Sequence, residues 1–266
     1  MKIFVVIVSL FVAGIAFSQQ LAPCDTVISF TPGEGTGFGQ AEIYFPENIL
    51  GWPSSTARKN VAESSPEEIC SLGLGGEIVL GWKSGYLVDA PGDDFTVYEN
   101  AFEYFKGIYS EPAVVSISKD GETWITYEFD ELKLEGLAGT EPTIGDGDVG
   151  APGGAGGNSF DIAALGLDTI RYIKLTDTTN IILQNPDHPN YDFTLNGFDL
   201  DAIVGYSVER HINSVADYYD ECIGCEIEYF NVKGQRVEEY DEYNLVSLQP
   251  YFERIKNNKI IRILYN

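Results

Sequence analysis

Asp199 and Asp201 stand two apart in the run Phe198-Asp199-Leu200-Asp201-Ala202. In an extended strand alternate side chains share a face. Both carboxylates are therefore predicted to project to one side, about 6.6 Å apart, with Phe198, Leu200 and Ala202 filling the other. Neighbouring carboxylates repel, so a cation, a set of donors or a retained proton must neutralise them. A hard ion such as Ca²⁺, which takes carboxylate and carbonyl oxygens at about 2.3 to 2.6 Å, meets that need; a solvated strand face meets it as well. Asp89, Asp93, Asp94, Glu99 and Asn100 add acidic and amide oxygens in and just after a Pro-Gly turn, where backbone carbonyls are free to coordinate. Asp89, Asp93, Asp94, Glu99, Asp199 and Asp201 are thus the candidate metal ligands, with Ca²⁺ the expected structural ion. Asp199 and Asp201 also match the ~5 to 9.5 Å separation of a glycosidase carboxylate pair, but one strand rarely supplies both, because the sugar must pass between them.

Other catalytic chemistry is sparse. His188 and His211 are the only histidines, and no Gly-x-Ser-x-Gly elbow accompanies either. His188 lies in Asn185-Pro186-Asp187-His188-Pro189-Asn190-Tyr191-Asp192, where it and Tyr191 are candidate sugar or metal contacts and His188 is equally a turn residue fixed by its prolines. Trp52, between Gly51 and Pro53, is the loop aromatic best placed to stack on a sugar. The glycine-rich stretch from Gly145 to Asp161 reads as a mobile surface loop or lid: Asp146-x-Asp148 begins like an EF-hand but has Gly157 where a bidentate Glu is needed, and no Gly-Lys-Ser/Thr makes it a phosphate cradle. The four cysteines allow three pairings as two disulfides, Cys24 with Cys70 among them, while Cys222-x-x-Cys225 lacks the strand-to-helix setting of a thioredoxin motif.

The elements that position these groups follow from composition and period. The chain has 266 residues with 16 Lys+Arg against 41 Asp+Glu, a net charge of −25, and 44% hydrophobic and 13% aromatic residues. That is enough apolar material for a core, and so acidic a surface excludes nucleic acid and disfavours anionic membranes. Lys2, an apolar run from Ile3 to Ala16 and the small residues of Ala16-Phe17-Ser18 read as a secretory signal peptide over residues 1–18. The run falls short of the ~20 residues that cross a bilayer, so no transmembrane segment is expected in the mature chain, which is placed in the medium or on the outer cell surface. Residues 19–208 then form a β body, 209–221 a polar linker and 222–266 a small module of net charge −1.

Within the body the apolar period is two, over Glu77 to Trp82, Phe95 to Glu99, Val114 to Ser118, Trp124 to Phe129, Arg171 to Thr176 and Phe198 to Val208. Asp120-Gly121 supplies a hairpin turn between two of these runs. Ser65-Pro66-Glu67-Glu68 looks like a helix start and Asp161 to Leu165 like one helical turn. Many short strands punctuated by Gly and Pro predict an all-β, two-sheet sandwich.

The stretch Ser118-Lys119-Asp120-Gly121-Glu122-Thr123-Trp124, followed by Ile170-Arg171-Tyr172-Ile173-Lys174-Leu175, resembles the paired signature of discoidin-like, galactose-binding-like jelly rolls. Gly75 to Leu80, Val88 to Asn100, Glu111-Pro112-Ala113 and Phe198 to Ile203 are similar in order and type to a family of bacterial cell-surface proteins, except that many members have Asp-Gly-Pro-Gly where this chain has Asp89-Ala90-Pro91-Gly92. The resemblance implies a jelly-roll sandwich, and related carbohydrate-binding jelly rolls often hold a structural Ca²⁺ near such loops. The tail, Ile227 to Val237 with the pattern Tyr251 to Leu264, is similar to the C-terminal sorting domain of type IX secretion substrates, with Ser247-Leu248-Gln249-Pro250 replacing the usual Gly-rich turn. That implies the type IX machinery as a partner. The expectation is a secreted or cell-surface protein that binds a glycan or another surface component without catalysis; a polysaccharide hydrolase and a structural surface protein are the alternatives.

Overall fold

The computed structural model describes residues 20–35 and 37–210 throughout and, beyond them, the backbone of four strands between 226 and 264. The expected signal peptide, the linker from 211 to 221, His211, Cys222 and Cys225 lie outside the described residues. The chain divides after Arg210 into two units.

The first unit is all-β, as its period predicts. Its strands are β1 (Gln20–Pro23), β2 (Thr26–Thr31), β3 (Cys70–Ser71), β4 (Glu77–Gly81), β5 (Gly85–Val88), β6 (Phe95–Glu99), β7 (Phe102–Tyr104), β8 (Gly107–Tyr109), β9 (Ala113–Ser118), β10 (Ile125–Thr126), β11 (Asn158–Phe160), β12 (Thr169–Ile170), β13 (Tyr172–Asp177) and β14 (Asp199–Arg210). The single described α-helix, α1 (Asn180–Leu183), is one turn long, and no helix among the described residues is long and apolar enough to cross a membrane. One sheet runs β11-β6-β14-β5-β12, with β1 and β3 also paired to β14; the other runs β10-β9-β13-β4-β2. All these pairings are antiparallel. β7 and β8 form a separate hairpin.

The period-two pattern explains the packing. In β13, Ile173 and Leu175 are buried while Tyr172, Lys174 and Thr176 reach the outside. Those two join Ile78, Leu80, Val115 and Ile117 of the same sheet and Leu87, Phe95, Val97, Ile203 and Val208 of the other in one continuous core, so the two sheets face each other across it. Phe160 stacks on Phe95 at 5.3 Å and Tyr127 closes that end of the core, its hydroxyl donating to the Asp161 carbonyl. Tyr98, Ala202 and Val204 form a second, smaller cluster on the outer side of β6 and β14.

β14 departs from plain alternation. Leu200 pairs with Glu99 but Ala202 pairs with Tyr98, so Asp201 is an extra residue in a β-bulge. Leu200 and Ile203 therefore both point into the main core, and Ala202 turns with Val204 to the smaller cluster rather than sharing the face of Leu200. Three further expectations are adjusted. The run Trp124 to Phe129 narrows to β10, because Ser118 Oγ and Asp120 Oδ1 accept the amides of Gly121, Glu122 and Thr123 and widen the turn. Ser65 accepts the Glu67 amide at 3.3 Å in a lone turn, not a helix. Glu209, expected in the linker, pairs with Tyr86 as part of β14.

Cys24 and Cys70 are free, buried thiols of the main core rather than a disulfide. Burial raises the pKa of both, that of Cys70 to about 12, so neither is a nucleophile at neutral pH. The Gly145–Asp161 stretch is anchored: Ile144 and Ala155 are hydrogen-bonded, Ala155 is buried, and the stretch leads into β11. In the second unit β15 (Glu226–Asn231), β16 (Arg236–Val237), β17 (Tyr251–Lys256) and β18 (Lys259–Leu264) form one sheet in the order β16-β15-β18-β17, with β15 and β18 parallel. Since Ile173 is fully buried in the central strand of its sheet, Ile173→Ala is expected to cost about 2 to 5 kcal/mol in a denaturant titration of the full chain; a loss under ~1 kcal/mol would contradict the packing described.

Candidate functional site

The loop-bearing end of the sandwich collects an array of buried acids. Asp201, on the bulge, is 4% exposed, and both of its oxygens accept the Ser54 amide at 3.0 Å, which ties the loop that begins at Trp52 to β14. Burial pushes its pKa up to about 8, against the Ser54 bond and with help from the charges of Glu68 and Glu63. Beside it a cavity of about 10 Å³ is lined by Asp201, Glu99, Glu63, Asn100, Thr143 and Arg58. That is room for a single water or ion, far too little for a sugar ring.

Asp199 faces a different set. Glu99, 2% exposed, accepts the Asp199 amide through Oε1 at 3.2 Å. Asn100 donates its side-chain amide to Asp199 Oδ2 at 3.5 Å and holds the backbone of Glu63 with both its oxygen and its nitrogen. Glu111, 5% exposed, accepts the amides of Asn196 and Gly197 through Oε1. Burial drives the carboxyls of Glu99, Glu111 and Asp199 upward; the charges of Glu111 and Asp199 raise Glu99 further and that of Asp199 raises Glu111, whose pKa reaches about 8. Glu99 Oε2 and Asp199 Oδ1 are shut off from solvent and have no hydrogen-bond partner. No ion pair among the described residues reaches any of these acids.

Glu111 and Asp177 were not among the sequence candidates. Asp177 ends β13 and accepts from Gly75, Thr179 and Phe198 at 2.7 to 2.8 Å, bracing the turn that enters β14. Its place after the alternating run Tyr172 to Thr176 was visible, but nothing local separates a buried terminal Asp from a solvated one. Glu111 before Pro112 is equally mute.

Asp89 and Asp94 lie together with Asp161, their ligand oxygens within 4.8 Å of one another. Asp94 is fully buried, yet its two oxygens already accept the amides of Ala90 and Ile162 at 2.8 and 2.9 Å, so it braces two turns. Asp93 is exposed and outside this group.

The candidate ligand contacts separate into two roles. Trp52 is 53% exposed, two residues before the Ser54 amide that Asp201 holds. His188 is buried: Nδ1 accepts the Asn190 amide, so Nε2 carries the proton and donates to the Glu131 carbonyl at 3.0 Å. It is a turn brace with no nitrogen left for a ligand. Tyr191 packs partly buried against Leu134, Leu137, Ile182 and Leu195. The aromatics missed by sequence lie next to them. In the β7–β8 hairpin, Phe102 stacks on Tyr109 at 5.0 Å and Tyr104 meets Phe105 edge-on at 5.3 Å. Lys106 pairs with Asp192 at 3.5 Å, and their chain neighbours Phe105 and Phe193 are 91% and 81% exposed. A cleft of about 300 Å³ opens beside this hairpin between Ser110, Leu134, Thr140, Glu141 and Asn190.

No known family model matches the chain, and no curated protein sequence matches it.

Glu111 and Asp201 bind protons more tightly folded, near pH 8, than unfolded, near 4. Their contribution to stability is complete below the unfolded pKa and is lost as pH rises through the folded one. In EDTA the full chain is therefore expected to unfold at a lower temperature at pH 8 than at pH 5; a melting temperature flat or rising over that range would contradict it.

Proposed function

We propose that this chain is a non-catalytic binding protein of the outer cell surface or the medium, with a galactose-binding-like jelly-roll body that takes a glycan or another surface ligand and is stabilised by Ca²⁺. The C-terminal unit is its address label, a β module read by the type IX secretion machinery. The observation that carries the ligand reading is the exposure of Phe105, Phe193 and Trp52 on loops of the body, with a cleft at Ser110, Thr140, Glu141 and Asn190 beside the β7–β8 hairpin. Sugars present apolar C–H faces edged with hydroxyls, and solvent-facing aromatic rings next to amide, hydroxyl and carboxylate groups suit both. Large apolar side chains held this far into water also cost solubility unless something covers them. His188 serves this surface by holding the loop that carries Asn190 and Phe193, while Tyr191 supports it from beneath.

A glycan array probed with the full chain tests the reading. Trp52→Ala and Phe105→Ala are each expected to weaken binding about tenfold, roughly 1.4 kcal/mol, with no change in thermal unfolding, since both rings are mostly exposed. Unchanged binding by both variants would remove the aromatic surface from the reading. No binding to any glycan, with self-association in size-exclusion chromatography, would put a structural surface protein in its place.

A further inference from the structure

The outer face of the β10-β9-β13-β4-β2 sheet carries a groove of about 360 Å³ that shares no lining residue with the cleft beside the β7–β8 hairpin. It reaches from the 120–124 turn to the bulge at Ile28, with Tyr172, Lys174, Glu77 and Val79 along its floor. The segments Ser118 to Trp124 and Ile170 to Leu175, singled out in the sequence, meet here.

The floor follows from register. Tyr172 and Lys174 point outward from β13 while Ile173 points into the core. Their neighbours in the same rows are Gly81 and Val79 on β4 and Ser118 and Ser116 on β9, all small, so the two long side chains stand clear of the sheet. Glycine also places the ring. An added Cβ at Gly81 would meet Tyr172 Cδ1 at 3.2 Å, and one at Gly121, φ 79°, would meet Cε2 on the opposite edge at 3.4 Å.

Lys174 Nζ stands 4.8 Å over the Trp124 ring and 3.7 Å from Glu77 Oε2. That separation is too long for a hydrogen bond, and Lys174 closes none among the described residues. Asp120 Oδ1 accepts the Ser118 hydroxyl and the amides of Glu122 and Thr123, which leaves Oδ2 open at the groove. The bonds from Thr123 and Glu122 hold its pKa at about 2, so it is ionised at neutral pH.

Charge and chemistry choose the occupant. Two carboxylates against one ammonium, on a chain of net charge −25, repel an anion. A cation gains little beside Lys174, whose ammonium already holds the Trp124 face. An apolar peptide would bury the Glu77–Lys174 pair without giving it hydrogen bonds. A neutral sugar meets the whole set: its C–H face packs on the aromatic rings, and its adjacent hydroxyls bridge a donor and an acceptor that stand side by side.

We propose that this groove is a second saccharide site, which takes a short stretch of neutral glycan against Trp124 and Tyr172 with its hydroxyls on Glu77, Lys174 and Asp120; it rests on the functional reading above for the class of ligand and not for the place. A polymer that also touches the loop aromatics is held by both surfaces at once, whereas a short soluble sugar reports each one alone.

The test uses the full chain carrying Trp52→Ala, in which Trp124 is the one tryptophan outside the core, since Trp82 is fully buried. It is titrated with neutral gluco-, manno-, galacto- and xylo-oligosaccharides and with oligogalacturonate, and tryptophan emission is followed. At least one neutral sugar is expected to shift the emission to saturation, and oligogalacturonate to leave it unchanged. In the same background Tyr172→Ala and Glu77→Gln are expected to weaken that sugar at least tenfold, and Trp124→Phe to erase the signal. Glu77→Gln alters a side chain that is 43% exposed and is expected to melt close to the parent, which keeps its loss apart from unfolding. Unchanged affinity in both Tyr172→Ala and Glu77→Gln, or no emission change with any neutral sugar, overturns the groove. If the parent still binds the glycan array in that case, the loop surface keeps the ligand reading by itself. If array binding survives Trp52→Ala and Phe105→Ala but is lost in Tyr172→Ala, the groove stands and the loop assignment falls. If no glycan binds at all, both fall.

Discussion

Desolvated carboxylate is the constraint around which the loop end of this protein is arranged. Glu99, Glu111, Asp177 and Asp201 are each no more than 5% exposed, and a carboxylate taken out of water must be repaid by donors, by a cation or by a proton. The chain supplies many of those donors from its own backbone: Ser54 for Asp201, Gly75 and Phe198 for Asp177, Asn196 and Gly197 for Glu111. Each bond fastens a loop to a strand end that is far away in sequence. The acids therefore work as rivets between loops, and the glycines among their donors matter because the turns they occupy bring amides close. Gly197, at φ 116°, lies so near Gly73 that an added Cβ would meet its backbone at 2.5 Å.

The sandwich was legible because burial follows period. β4, β6, β9 and β13 lie where alternating apolar residues predict them, within a residue at either end. Short strands were not legible: β3, β11 and β12 have two or three residues and exist because β14, β6 and β5 offer them partners, which no local pattern records. The bulge at Asp201 is of the same kind. Strict alternation puts Ala202 beside Leu200, and only the pairing of Ala202 with Tyr98 reveals the extra residue.

The site was legible in part. Glu99, Asp199 and Asp201 were picked out as crowded acids, and the structure buries all or part of each. Asp199 and Asp201 nevertheless part, because the bulge turns Asp201 toward Ser54 and leaves Asp199 by Glu99 and Glu111, while Glu99 also lines the small cavity beside Asp201. Spacing in a sequence suggests which face a strand residue takes, though a bulge can overturn it, and it never says which loop covers that face; the loop is what decides whether an Asp is solvated or enclosed. The hairpin aromatics escaped notice for the converse reason: Phe102 to Tyr109 lies outside the period-two runs, and its exposure arises because the hairpin pairs with neither sheet.

β14 pairs with β1, β3, β5 and β6, and it is the last strand of the body in chain order. β1 meets it across more than 180 residues, Gln20 against Val208. Contacts of such long range are slow to form and cannot begin until the second partner exists. A chain delivered from its amino end thus remains without its central strand until nearly all of the first 210 residues are available, and the β1, β3, β5 and β6 pairings to that strand all form late. The order of synthesis itself keeps the body open while it is being made, and a chain cut short before Asp199 retains of this sheet only the β6–β11 and β5–β12 pairs, with no central strand to join them.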